Sequence, residues 1–205
     1  MNEVALFILA GGQSSRMGHD KAFLNLGGRT LLEHALELGR TVTPHVRIVG
    51  SREKFSGFGP VVEDVFRDCG PLGGIHAALQ ASTAELNLML AVDTPRLQAA
   101  FLQYLLQRAA ESRALVTVPR AAGGLHPLCA VYRAAFADRA EEALRAGRLR
   151  IDRLFLPADT LIVGEEEILR LSFPVTMFEN LNTQEEYERA RHPAGGSDDG
   201  SADSR

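Results

Sequence analysis

Val4–Leu9 reads VALFIL, six apolar residues in a row. A strand with one wet face would alternate apolar and polar residues, and an amphipathic helix would interrupt the run within a turn. Six residues is strand length, so the run predicts a strand buried on both faces, in a sheet covered by helices. The chain then enters Gly11-Gly12-Gln13-Ser14-Ser15-Arg16-Met17-Gly18, with Lys21 just beyond. In open α/β sheets the loops at the carboxyl ends of strands are where ligands bind. Glycines let backbone N–H groups approach a ligand closely and converge on it. Arg16 adds a planar fork of donors and Lys21 a mobile point charge. That set of donors suits an anion, most simply a polyphosphate.

Two common phosphate motifs do not fit. A Walker A loop places four residues between its glycines and follows them with Lys-Ser/Thr. Here five residues separate Gly12 from Gly18, and His19 follows. No GxGxxG is present in the loop, so the dinucleotide fingerprint fails as well. The plain alternative is a tight turn with solvated charges.

Thr30 and Glu33 form a capping-box pattern that predicts a helix carrying Leu32, Ala35 and Leu36. Val46–Val49 and Val61–Val62 predict two short strands. Pro71 suits the first turn of a helix with Ile75, Ala78 and Leu79 on one face. Leu86–Val92 predicts another buried strand, ended by Asp93-Thr94-Pro95, and a helix after Pro95 packs Leu97, Phe101, Leu102 and Leu105. This order over the first 110 residues favours a mostly parallel central sheet flanked by helices. In the second half, Ala114–Val118 and Leu128–Tyr132 flank Gly123-Gly124 and predict a hairpin. Ala134–Ala146 predicts a helix, and Leu161–Val163 and Val175–Phe178 short strands. Thr183 with Glu186 is a second capping box. Residues 1–191 are expected to form one domain. Residues 192–205 have no large apolar side chain and are expected to be a disordered tail.

The chain carries 22 Lys plus Arg against 26 Asp plus Glu, a net charge of -4. That argues against a general nucleic-acid binder, which shows a basic excess. It leaves room for a nucleotide, since one basic loop binds a phosphate. Cys69 and Cys129 alone make neither a structural zinc site nor a disulfide framework. The run Val4–Ala10 is too short to span a membrane and lacks the basic flank of a secretory signal. A reduced, cytoplasmic setting and no membrane contact are expected.

Asp93 ends an apolar strand and points into the same crevice as the glycine-rich loop. A hard oxygen ligand completed by phosphate oxygens and waters is the usual way to hold Mg²⁺. Its alternative role is a helix N-cap before Pro95. Asp64 ends the third strand, with Asp68 close by as the alternative acid; either could instead cap the helix over 71–82. His126 stands before Pro127 and either lines a second-substrate side or is structural. Arg145, Arg148, Arg150 and Arg153 surround Gly147, as a solvated helix end or as a cradle for an anionic substrate. His34, His45 and His76 have no partner pattern. Cys129 reads as core and Cys69 as an unactivated loop thiol.

The loop LAGGQSSRMGHDK resembles the signature loop of nucleotidyltransferases with a Rossmann-like sheet, most closely the molybdenum cofactor guanylyltransferases. The resemblance runs from residue 4 to about 190. Glu63-Asp64, Gly70-Pro71-Leu72-Gly73-Gly74, Asp93-Thr94-Pro95, His126-Pro127 and Asn180-Leu181-Asn182-Thr183 come in that family's order. It implies a Rossmann-like nucleotidyltransferase fold, with residues 1–110 as the nucleotide-binding half. Residues 111–191 would be an acceptor-facing half with a hairpin lobe. It implies transfer of GMP from GTP to the phosphate of the molybdenum-molybdopterin cofactor, with release of pyrophosphate. It places Leu9, Ala10, Gly11, Gly12, Lys21, Asp64 and Asp93 at the nucleotide, gives Arg16, Lys21 and Asp93 the catalytic roles, and puts Mg²⁺ on Asp93. The implied partners are GTP, molybdopterin, and cofactor-accepting molybdoenzymes or their chaperones, and the expected state is a monomer. Cytidylyl relatives carry Asp-Ile-Asp-Thr where this chain has Asn180 and Asn182, and an alanine where it has Gly11. Both departures lean to guanine, Gly11 by leaving space and a free φ beside the base. The alternatives are a cytidylyltransferase acting on molybdopterin or another phosphorylated small molecule, and a nucleotide-binding module without chemistry.

Overall fold

The computed structural model describes residues 3–11 and 20–181. The chain begins with β1 (Val4–Leu9), followed by a 3-10 turn at Lys21–Phe23 and a short hairpin of β2 (Asn25–Leu26) and β3 (Arg29–Thr30). Then come α1 (Leu31–Val42), β4 (Val46–Val49), α2 (Arg52–Phe55), β5 (Val61–Val62), α3 (Gly70–Gln80), β6 (Leu86–Ala91) and α4 (Ala99–Glu111). The second half adds β7 (Val116–Ala121), β8 (Gly124–Leu125), β9 (Cys129–Arg133), α5 (Phe136–Arg145), β10 (Thr160–Val163) and α6 (Glu165–Arg170). It also has 3-10 turns at Ile151–Leu154 and Val175–Phe178.

One sheet runs in the order β10-β7-β9-β6-β1-β4-β5, with β8 paired to β7. Pairings β1·β4, β1·β6, β4·β5 and β7·β10 are parallel. β9 is antiparallel to both β6 and β7. This is the expected mostly parallel Rossmann-like sheet between helices. The chain lays β4 and β5 to one side of β1 and then returns to lay β6 on the other. The reversal opens a crevice outside the carboxyl ends of β1 and β6, the place where such sheets bind ligands.

β1 is buried on both faces because its side chains alternate between two cores. Leu6, Ile8 and Ala10 join Ile48, Leu88, Leu90 and the inner faces of α1 and α4. Ala5, Phe7 and Leu9 join Met89, Leu72, Ile75 and the inner face of α5. The helix starts follow their sequence signals. Thr30 Oγ1 accepts the Glu33 N–H at 3.2 Å while the Glu33 carboxylate accepts the Thr30 N–H at 2.7 Å. Pro71 lies in the first turn of α3.

Three predicted elements differ. The helix after Pro95 begins only at Ala99, with Gln98 as its N-cap, because residues 94–97 close a turn through Leu97 N–H to Thr94 O. The two strands predicted as a hairpin do pair, yet the tight hairpin is β7–β8, turning at Ala122 and Gly123 with φ of 49° and 77°. Val175–Phe178 is a 3-10 turn rather than a strand. A strand would send Met177 and Phe178 to opposite faces, whereas both pack into the same core. Among the described residues no helix is long and apolar enough to cross a membrane. The second capping box at Thr183 and the tail 192–205 lie outside the described residues.

Candidate active site

Leu9 of β1 lies level with Val49 of β4 on one side and Ala91 of β6 on the other. Three parallel strands therefore deliver their next residues to one edge. Ala10 and Gly11 both donate their N–H groups to Val49 O at 3.0 Å, which holds the start of the glycine-rich loop against the end of β4. An open cleft of about 810 Å³ lies here. Ala10, Gly11, Asp20, Gly50, Lys54 and Asp64 are among the residues of its wall. Leu9 is buried beneath it.

Asp64 follows β5. Its Oδ1 is fully buried and has no hydrogen-bond partner among the described residues. Burial raises its pKa above the ordinary aspartate value, since desolvation penalises the charged form. A buried polar atom without a partner is uncommon in a native fold; Oδ1 itself is closed off from the cleft, although Asp64 is one of the residues that line it. Asp64 does not cap α3, whose N-cap is Cys69 without a side-chain bond. Asp68 also lines the cleft, in the left-handed region at φ 58°. Gly73 brings α3 against this loop: a Cβ there would lie 2.8 Å from Phe66 O. The neighbouring Glu63 turns away to Arg52, whose backbone and side-chain donors hold its carboxyl below the usual range.

Beside the cleft, Lys21 Nζ stands 3.2 Å from Asp93 Oδ2, across 72 positions of sequence. Both side chains are about one-fifth exposed, at 22% and 19%. Asp93 follows β6 and caps no helix, since α4 starts six residues later behind Gln98. Its fit to a metal can be judged from the donor set. Among the described residues no three acidic, histidine or cysteine side chains gather around a common point. One accessible carboxylate with a cation already beside it suits a divalent ion shared with phosphate oxygens and waters, not an all-protein cage.

Asp20 joins the two parts. Its Oδ1 accepts Ala22 N–H at 3.2 Å and its Oδ2 accepts Lys54 Nζ at 2.9 Å, tying the turn that carries Lys21 to α2. Asp20 stands inside the quoted signature loop but was not singled out there. Gly50 and Lys54 carry no motif signal of their own; they were findable from topology, because β4 runs parallel to β1 and must deliver residues 50–54 to the same edge. Gly50 is needed there, since a Cβ would approach the buried Phe55 ring at 2.7 Å. Gly11 differs: it takes no positive φ, and a Cβ would meet Gly50 Cα at an ordinary 3.4 Å. The loop thus needs no positive φ at Gly11, and of the two ways in which a methyl group could matter there only the matter of space remains.

Gly12, Arg16 and Asn182 lie outside the described residues. Arg145, Arg148 and Arg150 pair with Glu141, Glu142 and Asp152, so three of the four arginines of the basic cluster have acidic partners. Gly147, at φ 67°, closes α5 in a Schellman turn through Arg148 N–H to Ala143 O and Gly147 N–H to Leu144 O. Burial pushes the Cys129 thiol up to about 12, as suits a core cysteine.

Comparison with known proteins agrees with this geometry. Residues 6–169 match the family described as the MobA-like NTP transferase domain. A molybdenum cofactor guanylyltransferase of Syntrophotalea carbinolica is 33% identical over 191 residues, covering 92% of this chain and 91% of that relative. One of Desulfosudis oleivorans is 33% identical over 193 residues, covering 93% and 95%. The crystal structure of molybdopterin-guanine dinucleotide biosynthesis protein A from Archaeoglobus fulgidus superposes with a TM-score of 0.80 at 24% identity, over 92% of this chain and 97% of that one. A strand–loop–helix edge that pairs a lysine with a strand-end aspartate, and a family match over most of its length, make this chain a member of the MobA-like NTP transferase family, and a nucleotidyltransferase.

Proposed function

We propose that the protein transfers GMP from GTP to the terminal phosphate of the molybdenum-loaded molybdopterin cofactor and releases pyrophosphate. The observation that carries this reading is the Lys21–Asp93 pair, whose lysine directly follows the cleft residue Asp20. Its two charges separate naturally onto a triphosphate and a cation. The names of the relatives supply the guanine donor and the pterin acceptor.

Residues 1–110 form the nucleotide-binding half and 111–191 the acceptor-facing half in this reading. Guanosine lies in the cleft beside Ala10 and Gly11. Asp64, which lines the cleft, accepts from the N1–H or 2-amino group of guanine. Lys21, with Arg16 from the glycine-rich loop, offsets charge on the triphosphate. Asp93 would hold Mg²⁺, which would supply neutralisation of the negative charge developed in the transfer. An oxygen of the acceptor phosphate attacks the α-phosphorus. The new P–O bond forms as the bond to the α–β bridging oxygen breaks, and the electron pair leaves on pyrophosphate. The acceptor is already anionic, so no side chain needs to act as a strong base. The protein's work is positioning and charge compensation. Molybdoenzymes or their chaperones would take the product, from a monomeric enzyme.

Asp64 tests the reading. Asp64→Asn keeps the shape, removes the charge and turns two donors toward guanine. GTP affinity, measured by calorimetry, should fall by roughly 10-fold or more, in line with about 1–3 kcal/mol for an unmatched buried donor. CTP affinity should change less. Wild-type affinity for GTP should also fade as pH drops through the raised pKa of Asp64, at a higher pH than an ordinary aspartate would produce. Equal GTP binding by wild type and variant would remove Asp64 from the base site.

A further inference from the structure

Residues 175–181 cross the sheet edge beside Asp93 and are pinned at three points. Leu181 donates its N–H to Asp93 O at 2.9 Å. Glu179 pairs with Arg96 of the turn after β6. Phe178 packs edge-on against Phe101 of α4, with centroids 5.3 Å apart at 90°. The backbone that presents the Asp93 carboxylate is thus bonded to this strap, and the strap depends on where Phe178 sits.

The other side of Phe178 is covered by His126, with ring centroids 4.2 Å apart and 20° between the planes. His126 is held more firmly than a loop residue needs. Its N–H donates to Pro119 O at 3.0 Å, and its carbonyl accepts Cys129 N–H at 3.0 Å. Its ring Nε2 lies 3.1 Å from Ala121 O. A carbonyl only accepts, so Nε2 carries the proton, and the ring plane is fixed by that bond. Burial lowers the pKa of His126 against the opposing pull of the Ala121 carbonyl, which favours the uncharged ring that stacks on an aromatic face without being desolvated as a cation. The turn before it is tied in turn to α6, where Glu165 accepts Ala122 N–H at 2.6 Å.

We infer that His126 is a positioning residue for the transfer: its stacked ring holds Phe178, and through it the strap that fixes Asp93 at the metal and triphosphate. The inference rests on the reading of Asp93 as the metal-holding carboxylate. It makes no contact between His126 and either substrate. It predicts that loss of the ring loosens metal binding more than nucleotide binding, a split that a purely structural histidine would not produce.

The test measures how much Mn²⁺ tightens binding of a GTP analogue with a methylene α–β bridge, by calorimetry with and without the metal. His126→Ala should cut that tightening by about tenfold, the lower end for groups that orient a metal ligand indirectly. Its affinity for the analogue without metal should stay within about twofold of wild type. His126→Phe keeps the stacked ring and should recover most of the tightening. Full tightening in His126→Ala, or a loss in His126→Phe as large as in His126→Ala, overturns the inference. If His126→Ala does not fold, Phe178→Leu against His126→Phe gives the same comparison: the first should lose the tightening and the second keep it, and equal values overturn the claim. Asp93→Asn separates the two levels. Should it abolish the tightening while His126→Ala keeps it, the positioning role alone fails. Should Asp93→Asn keep the tightening, the metal role of Asp93 fails and the positioning role with it.

Discussion

Lys21 and Asp93 hold each other while about one-fifth exposed, and that partial burial sets what their removal should do. An ion pair of this kind contributes on the order of 1 kcal/mol to stability, between an exposed pair and a buried one. Lys21→Ala and Asp93→Asn should therefore melt within about 2–4 °C of wild type, the shift that such an energy produces in a domain of this size. Turnover is another matter. A preorganised charge facing a reacting phosphate contributes on the order of 10²- to 10³-fold, so Lys21→Ala should lose about that factor in pyrophosphate release. Asp93→Asn would be harmless if the residue only capped a helix, since Asn caps about as well as Asp. With Gln98 capping α4, no such role exists to preserve. The variant should lose activity at low Mg²⁺ and regain part of it at high Mg²⁺. Wild-type rates in either variant would make the pair structural.

At the level of elements, α3 is the part on which the cleft depends most. Its first turn, Gly70-Pro71-Leu72-Gly73-Gly74, packs so closely on residues 64–69 that a Cβ at Gly73 would meet a carbonyl oxygen at 2.8 Å. Alanine gains about 1 kcal/mol of helix propensity over glycine. Overpacking costs about 1–3 kcal/mol, and a backbone oxygen cannot rotate aside, so the cost wins. Gly73→Ala should lower Tm and weaken GTP binding, because the loop it displaces carries Asp64. Gly124→Ala, where a Cβ meets nothing within 4 Å, is the control and should do neither. A Gly73→Ala protein with wild-type Tm and GTP affinity would show that this close approach has no bearing on the site. The elements also show where sequence reading works. β1, the capping box of α1 and the proline start of α3 were legible because each rests on local chemistry. The 3-10 turn at Val175–Phe178 was not, since the four residues VTMF are too few to show a period and Phe178 packs against Phe101 and His126 from elsewhere. α2 and the β2–β3 hairpin are too short to show a pattern. Lys54 could be recognised only once β4 was known to run parallel beside β1.

For the whole molecule, the strand order concentrates function at one edge. β1, β4, β5 and β6 run parallel to one edge, so the start of the glycine-rich loop, the Asp64 loop and the Asp93 turn lie along it although they are far apart in sequence. The motifs of that edge were readable in order along the chain; how they converge follows from the parallel pairing. The second half lends β9 to the same sheet and returns residues 175–181 to Asp93, which no local pattern announced. That edge is where guanosine monophosphate should be joined to a phosphorylated pterin. Pyrophosphate release should be followed with GTP, CTP, ATP and UTP in turn, each with Mg²⁺ and molybdenum-loaded molybdopterin. Release should require the pterin and favour GTP over CTP by about tenfold or more in kcat/KM, a difference of roughly 1.4 kcal/mol. Faster release with CTP, or GTP binding without any pterin-dependent pyrophosphate, would contradict that assignment.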